Sequence, residues 1–309
     1  MPDTLASLAD IVKINDVSVR DAGVSDIFNQ APFLAALYAC LASNGTKHSY
    51  LKETGAPVVG FRAPNVGIDV VTDTDTQVNL DLSYLDAMVK LDKQLAESGR
   101  GVEFHLARKS QRNLRAAFFK AEQQILNGGA GGFNGFQQAL GTLATPMVVN
   151  AGGSTARTSV YAIRTTPDET DVCVVMGNDG EIDIEAAYLS LFTDGTGKQF
   201  NGYVVPIDGY IGLQIGGARS IARLANVGTG ATLTDIMLQN LFNTFPASAP
   251  PTHFVMNTRS RGELQASRST VNTGTGNRLL TMHAPTPVDW NGIPIVCVES
   301  LTNAETAVA

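Results

Sequence analysis

The sequence predicts an α+β fold. Three observations carry that expectation: a long one-faced helix from Glu103 to Asn127, a glycine-punctuated β-hairpin before it from His48 to Leu80, and short strands after Asn150 interrupted by two further helices. The 309 residues are 44% apolar, enough to bury one large core or two moderate ones.

Residues 1–47 carry short apolar clusters (Ile11, Val12, Ile14; Ile27, Phe28; Phe33, Leu34, Leu37) separated by Asp, Asn and Gly, with a short helix expected from Pro32 to Ser43. Such a segment has no core of its own and reads as an arm that packs on a neighbouring domain or chain; an ordinary N-terminal helix pair is the alternative. From His48 to Leu80, Gly55, Pro57, Gly60, Pro64 and Gly67 punctuate Val58, Val59, Phe61, Val66, Ile68, Val70 and Val71. A two-stranded ribbon of that size is marginal alone in water, so it needs a partner. Residues 76–82 alternate apolar and polar as a strand does, and Tyr84, Leu85, Met88, Val89 and Leu95 are expected on the apolar face of a following helix.

In the long helix Leu114, Phe118, Ala121 and Ile125 recur on one side, while Arg108, Lys109, Arg112, Arg115 and Lys120 occupy the rest. At about 1.5 Å per residue it spans about 37 Å. Gly128 is a natural stop, because it accepts positive φ without a Cβ clash. The glycine-rich stretch to Gly135 then follows the helix, whereas phosphate cradles precede one; it also lacks the Gly-Lys-Ser/Thr ending, so it reads as a cap and sharp turn.

Beyond Asn150, residues 158–164 and 171–176 read as strands, followed by an Asn178-Asp179-Gly180 turn. Residues 201–215 and 218–227 give two more strands, the second carrying Arg219 and Arg223. Thr232 or Thr234 can cap a helix that runs through Phe242 and stops before Pro246. A short strand at 253–256, a helix at 260–267 and an Asn291-Gly292 turn into the strand Ile293–Val298 complete the chain.

Charged residues make up 17% of the chain, below the usual quarter, which suits a subunit that hides surface against copies of itself. A net charge of −7 argues against a protein that grips nucleic-acid phosphates. Cys40, Cys173 and Cys297 lie far apart and read as buried thiols rather than a disulfide framework or zinc site. No apolar run reaches the ~18 residues that span a bilayer, so no membrane is expected. The four histidines, His48, His105, His253 and His283, have no repeated spacing. His-Glu-x-x-His, Gly-x-Ser-x-Gly and Cys-x-x-Cys patterns are absent, so the sequence names no catalytic, metal or cofactor residues. The basic run Arg108, Lys109, Arg112, Arg115 could meet phosphates, but such runs more often pair with carboxylates of the same or a neighbouring chain.

The helix ending Ile125-Leu126-Asn127-Gly128, its glycine turn and Phe133-Asn134-Gly135-Phe136 resemble the spine helix and following turn of tailed-bacteriophage major capsid proteins with the Hong Kong 97 (HK97-like) fold. The order of the remaining segments is similar too. The resemblance implies an N-terminal arm (1–47), an extended loop reaching a neighbouring subunit (48–80), a peripheral domain (81–149) with the spine helix at 103–127, an axial domain (150–275) and a return to the peripheral domain (276–309). Residues 165–201 have no counterpart at residue level and read as a decoration.

The implied function is structural: a subunit that forms hexamers and pentamers of an icosahedral head around double-stranded DNA, bound without sequence specificity. No enzyme activity or cofactor is implied. Phe61, Arg62, Val66 and Ile68 in the loop, and Arg112 and Arg115 on the helix, are the expected inter-subunit residues. The implied partners are the chain itself, a scaffolding protein, a portal and a decoration or cement protein; the implied location is the virion, after assembly in the host bacterial cytoplasm. No long charged helical leader precedes the arm, so scaffolding is expected to be a separate protein. Some such capsids weld a loop lysine to a neighbour's asparagine, and Lys47, Lys52 and Asn291 are the residue types required. An encapsulin-like nanocompartment shell is the alternative within the fold, and an α/β enzyme acting on a small ligand the alternative outside it.

Overall fold

The computed structural model describes residues 13–14, 17–18, 30–55, 60–67, 74–98, 101–129, 131–168, 170–274, 278–282 and 284–309. Two mixed sheets and one long helix share one large apolar core, and Cys40, Cys173 and Val175 form a small second cluster. The first sheet has seven strands, in the order Val17–Ser18, Lys13–Ile14, Glu181–Ile184, Ile207–Ile215, Val172–Met176, Ala39–Leu41, with Ser83–Asp86 also paired to Ile207–Ile215. The second has six, in the order Asp289–Trp290, Ile293–Val298, His253–Asn257, Thr158–Ile163, Ile221–Val227, Val148–Asn150. Strands from both sides of residue 150 enter the first sheet. The central strands Thr158–Ile163, Val172–Met176 and Ile221–Val227 are buried on both faces, which is why they read as continuous apolar runs rather than alternations.

The long helix runs Val102–Asn127, 26 residues, and buries Leu106, Leu114, Ala117, Phe118, Ala121, Ile125 and Leu126. It stops at Gly128, whose φ of 64° is the left-handed conformation that glycine tolerates. The turn then folds back on the helix end. Gln124 Nε2 donates to the Phe133 carbonyl at 2.7 Å, and Gln138 Nε2 donates to the Asn127 carbonyl at 2.9 Å while its Oε1 accepts from the Gly135 amide at 2.9 Å. This brings Phe136 to the core, 6.0 Å from Phe33 and 5.7 Å from Tyr161 between ring centres.

Several expectations are corrected. The helix expected over Tyr84–Leu95 is two strands, Ser83–Asp86 and Val89–Asp92, followed by the short helix Lys93–Glu97. Val89 and Leu91 point inward with Lys90 between them, a period of two that competes successfully with the helical spacing. The Asp92 side chain then caps the short helix by accepting from the Gln94 amide. The helix expected over Pro32–Ser43 ends at Ala36, and Ala39–Leu41 pairs in parallel with Val172–Met176 instead. The strand over 201–215 is two, Gln199–Val205 and Ile207–Ile215, divided at Pro206, which has no amide hydrogen for a ladder. In the hairpin, Lys47–Gly55 pairs antiparallel with Thr74–Asp81, while 60–67 is not in a strand; Ile68, Val70 and Val71 lie outside the described residues, as do Ile11, Val12, Ile27 and Phe28 of the arm. Residues 165–201 supply Val172–Met176, Glu181–Ile184 and Tyr188–Thr193, the last pairing with Gln199–Val205 in a three-stranded sheet that Val89–Asp92 completes.

Several other elements agree closely with the sequence reading. Thr234 caps Asp235–Phe242 by accepting from the Met237 amide, Thr258–Arg268 is helical, and Asn291 (φ 50°) with Gly292 (φ 80°) turns Asp289–Trp290 into Ile293–Val298. The final residues form a strap across both the helix and the second sheet. Ser300 bonds to the helix, Asn303 to Asn257, Glu305 to Arg223, Val308 to Asn226, and the Leu143 amide donates to the Ala309 carbonyl.

A Cβ on Gly135 would stand 2.5 Å from both the Gln124 carbonyl oxygen and the Gly128 nitrogen, backbone atoms that cannot move aside cheaply. Gly135→Ala is therefore expected to destabilise the subunit by about 1–3 kcal/mol, the usual cost of overpacking; an unchanged urea midpoint would contradict the tight return of the turn onto the helix.

Candidate functional site

The structure divides the residues that carry chemistry into a buried set that holds the subunit together and an exposed set that faces outward. Among the described residues no group of three His, Cys, Asp or Glu side chains is placed to hold a metal ion, and no helix is long and apolar enough to cross a membrane. His48 is buried, its Nε2 2.7 Å from Gln214 Oε1, with Nδ1 accepting from the Ser43 amide at 3.3 Å. His253 is half-buried, and desolvation holds its pKa below the usual value. His283 lies outside the described residues. Cys40 and Cys173 are buried and Cys297 is half-buried.

Among the buried polar clusters that escaped the sequence reading are those of Glu122 and Arg223. Glu122 is wholly buried in the apolar stripe of the long helix. Its Oε2 accepts from the Phe33 amide at 2.8 Å and its Oε1 from the Ser300 hydroxyl at 2.7 Å; the Leu34 amide bonds to the carboxylate as well. Pro32–Ala36 has Ala31 at its N-cap, with no side-chain oxygen to offer, so Glu122 satisfies the amides left open there. Desolvation pushes its pKa above the usual carboxylate value, against the pull of these three donors.

Arg223 is the second. It is 1% exposed in a strand buried throughout. Its guanidinium donates to Glu305 Oε2 at 2.8 Å, to Ser159 Oγ at 2.8 Å and to the Leu140 carbonyl at 2.9 Å, with the Tyr161 ring 5.8 Å away. Both positions were visible as a pattern: Glu122 falls between Phe118 and Ile125 on the apolar face, and Arg223 is a lone charge inside Ile221-Ala222-Arg223-Leu224-Ala225. A charge at a core position implies a buried partner, and only the fold reveals which.

The expected inter-subunit residues lie at two separate places. Phe61 is fully exposed and Val66 exposed in the segment between the hairpin strands, where Arg62 Nη1 donates to the Val66 carbonyl at 3.4 Å and Asn65 takes a φ of 65°. Ile68 lies outside the described residues. On the long helix Arg108 and Arg112 are exposed one turn apart and have no ion pair among the described residues, while Arg115 is half-buried.

A further exposed arrangement was not read from the sequence. Asp183, Asp208 and Asp86 stand opposite one another on three adjacent strands of the first sheet, all on the face away from the core residues Ile182, Ile207 and Ile211. Two residues along, Tyr84 opposes Tyr210 at 5.3 Å, and the Tyr84 hydroxyl donates to Asp208, which pushes its pKa up to about 12. Strand register is what assembles these carboxylates, and register is not written in the local sequence.

The family described as major capsid protein GP7 matches residues 20–309. A chain of the bacteriophage Epsilon15 structure superposes with a TM-score of 0.65 at 19% identity, covering 88% of each chain. A chain of the bacteriophage JBD30 capsid superposes at 0.51 and 12% identity, covering 91% of this chain and 94% of the other. No curated protein matches the sequence.

Arg223→Met leaves Glu305 buried without its cation, and a loss of about 3–5 kcal/mol in unfolding free energy is expected, with the double variant R223M/E305L less damaged than R223M alone; equal losses would show that the pair is not coupled. For Glu122 the folded pKa lies above the unfolded one, so its contribution to stability is complete below the unfolded value near 4.5 and is lost as pH rises through the folded value. The difference in urea midpoint between the parent and Glu122→Gln is therefore expected to shift in favour of E122Q as pH climbs across that window; a difference independent of pH would refute the assignment.

Proposed function

The chain belongs to the GP7 family of major capsid proteins, and on that premise we propose that its copies form hexamers and pentamers that close into an icosahedral head around double-stranded DNA. It is a structural subunit of a phage head, with the Hong Kong 97-like fold. A subunit with two different complementary faces makes heterologous contacts, and these close into rings when the rotation permits.

The observation on the molecule that carries the reading is the hairpin Lys47–Gly55/Thr74–Asp81, between whose strands lies the fully exposed aromatic side chain of Phe61. An apolar ring left in water is stabilised when a neighbour covers it. On this reading residues 48–80 are the reaching loop and 1–47 an arm; 81–149 with 276–309 form the peripheral part, and 150–275 the axial part. Phe61, Arg62, Val66 and Ile68 meet a neighbour at the loop, and Arg112 and Arg115 meet one at the helix. A net charge of −7 fits a shell that encloses DNA without binding it tightly. A scaffolding protein, a portal and a decoration or cement protein complete the particle, and assembly takes place in the cytoplasm of the bacterial host.

Negative-stain electron microscopy of the expressed chain, alone and with its scaffolding protein supplied, is expected to reveal closed shells or rings; a monomer under both conditions would overturn the reading. Phe61→Ser with Val66→Ser is expected to change subunit stability by no more than about 0.5 kcal/mol, as exposed positions do, while lowering the yield of shells. Normal shells from that variant would remove the loop from the interface.

A further inference from the structure

The acidic face of the first sheet and the basic face of the long helix each carry like charges at short range. Directly opposed residues on adjacent strands have Cβ atoms about 4.5–5.5 Å apart, so Asp86, Asp208 and Asp183 form a row of three carboxylates in which each neighbour repels the next. Asp86 and Asp183 are exposed, Asp208 half-buried, and none has an ion pair among the described residues. In the sheet register Lys13 stands opposite Glu181, two residues before Asp183 on the same strand. The neutral Tyr84 hydroxyl donates to Asp208.

On the helix, Arg108 and Arg112 are neighbours at i and i+4, a spacing at which like charges destabilise a helix. Neither guanidinium has a carboxylate within its own chain among the described residues. Two repulsive patches of opposite sign on one subunit are costly in isolation, and each supplies what the other lacks.

Resting on the capsid reading above, we propose that the Asp86–Asp208–Asp183 row of one subunit docks on the Arg108–Arg112 face of the long helix of a second copy. The contact is heterologous, since the two surfaces differ, and therefore propagates around a ring rather than closing a pair. Arginine suits it, because its planar guanidinium can fork onto a carboxylate, and two guanidinia one helical turn apart, about 5.4 Å, match the spacing of neighbouring strands, about 4.8 Å. Opposite potentials also speed encounter, and the effect weakens as salt shortens the Debye length from about 8 Å at 0.15 M to about 3 Å at 1 M.

Charge reversal tests the pairing in whatever assembly reaction yields shells from the unaltered chain. R108E/R112E and D86K/D183K, each on exposed positions, are expected to leave the melting temperature of the free subunit in place and to lower shell yield at least tenfold. The fourfold variant carrying both reversals is expected to recover most of that loss, and the rate of assembly of the unaltered chain to fall as sodium chloride is raised from 0.05 to 0.5 M. Normal assembly of R108E/R112E, including one that loses only its DNA content, overturns the proposal, as does a fourfold variant no better than its parents. An unaltered chain that forms no shell at all strikes the capsid reading itself, which separates the two failures.

Discussion

Glu122 sets the terms for the rest of the subunit. A carboxylate in the apolar stripe of the long helix is tolerated only because two amides from 33–34 and the hydroxyl of Ser300 converge on it. The segment at Pro32–Ala36 and the strap beginning at Ser300 are thereby referred to one point on the helix. From there Ala39–Leu41 enters the first sheet and the strap crosses the second, so the same anchor registers both sheets against the helix. An apolar side chain of similar volume would fill the space without specifying where either segment must lie.

The Arg223–Glu305 pair performs the complementary task on the second sheet. Arg223 draws together the strand Ile221–Val227, the Leu140 carbonyl beyond the glycine turn, and the strap. Each of its contacts lies far away in sequence, so the cluster says nothing through local propensity. It fixes the strap as an integral layer rather than a loose tail.

What the sequence disclosed follows from the range of the forces involved. The long helix, its glycine stop, the Thr234-capped helix and the Asn291-Gly292 turn depend on interactions within a few residues, and all four stand where the sequence puts them. Ser83–Asp92 misled because Tyr84, Leu85, Met88 and Val89 satisfy a helical spacing while cross-strand partners at 202–205 and 208–211 decide the outcome. The exposed side chains Phe61, Val66 and Arg112 were identifiable as candidates by type, since an aromatic in a glycine-rich loop and an arginine on a helix face have few uses inside a core. The three-aspartate row was invisible, because Asp86, Asp183 and Asp208 come from segments that only the sheet register brings level.

The buried arginine also constrains the order of events at the ribosome. Glu305 follows Arg223 by 82 residues, which at about 5–20 residues per second is a delay of about 4–16 s before the counter-charge exists. Until then the second sheet would have to enclose a bare guanidinium, so its consolidation waits on the strap. A nascent subunit therefore keeps that sheet open until the strap has emerged, and unfinished chains are denied the mature surface on which neighbours could dock.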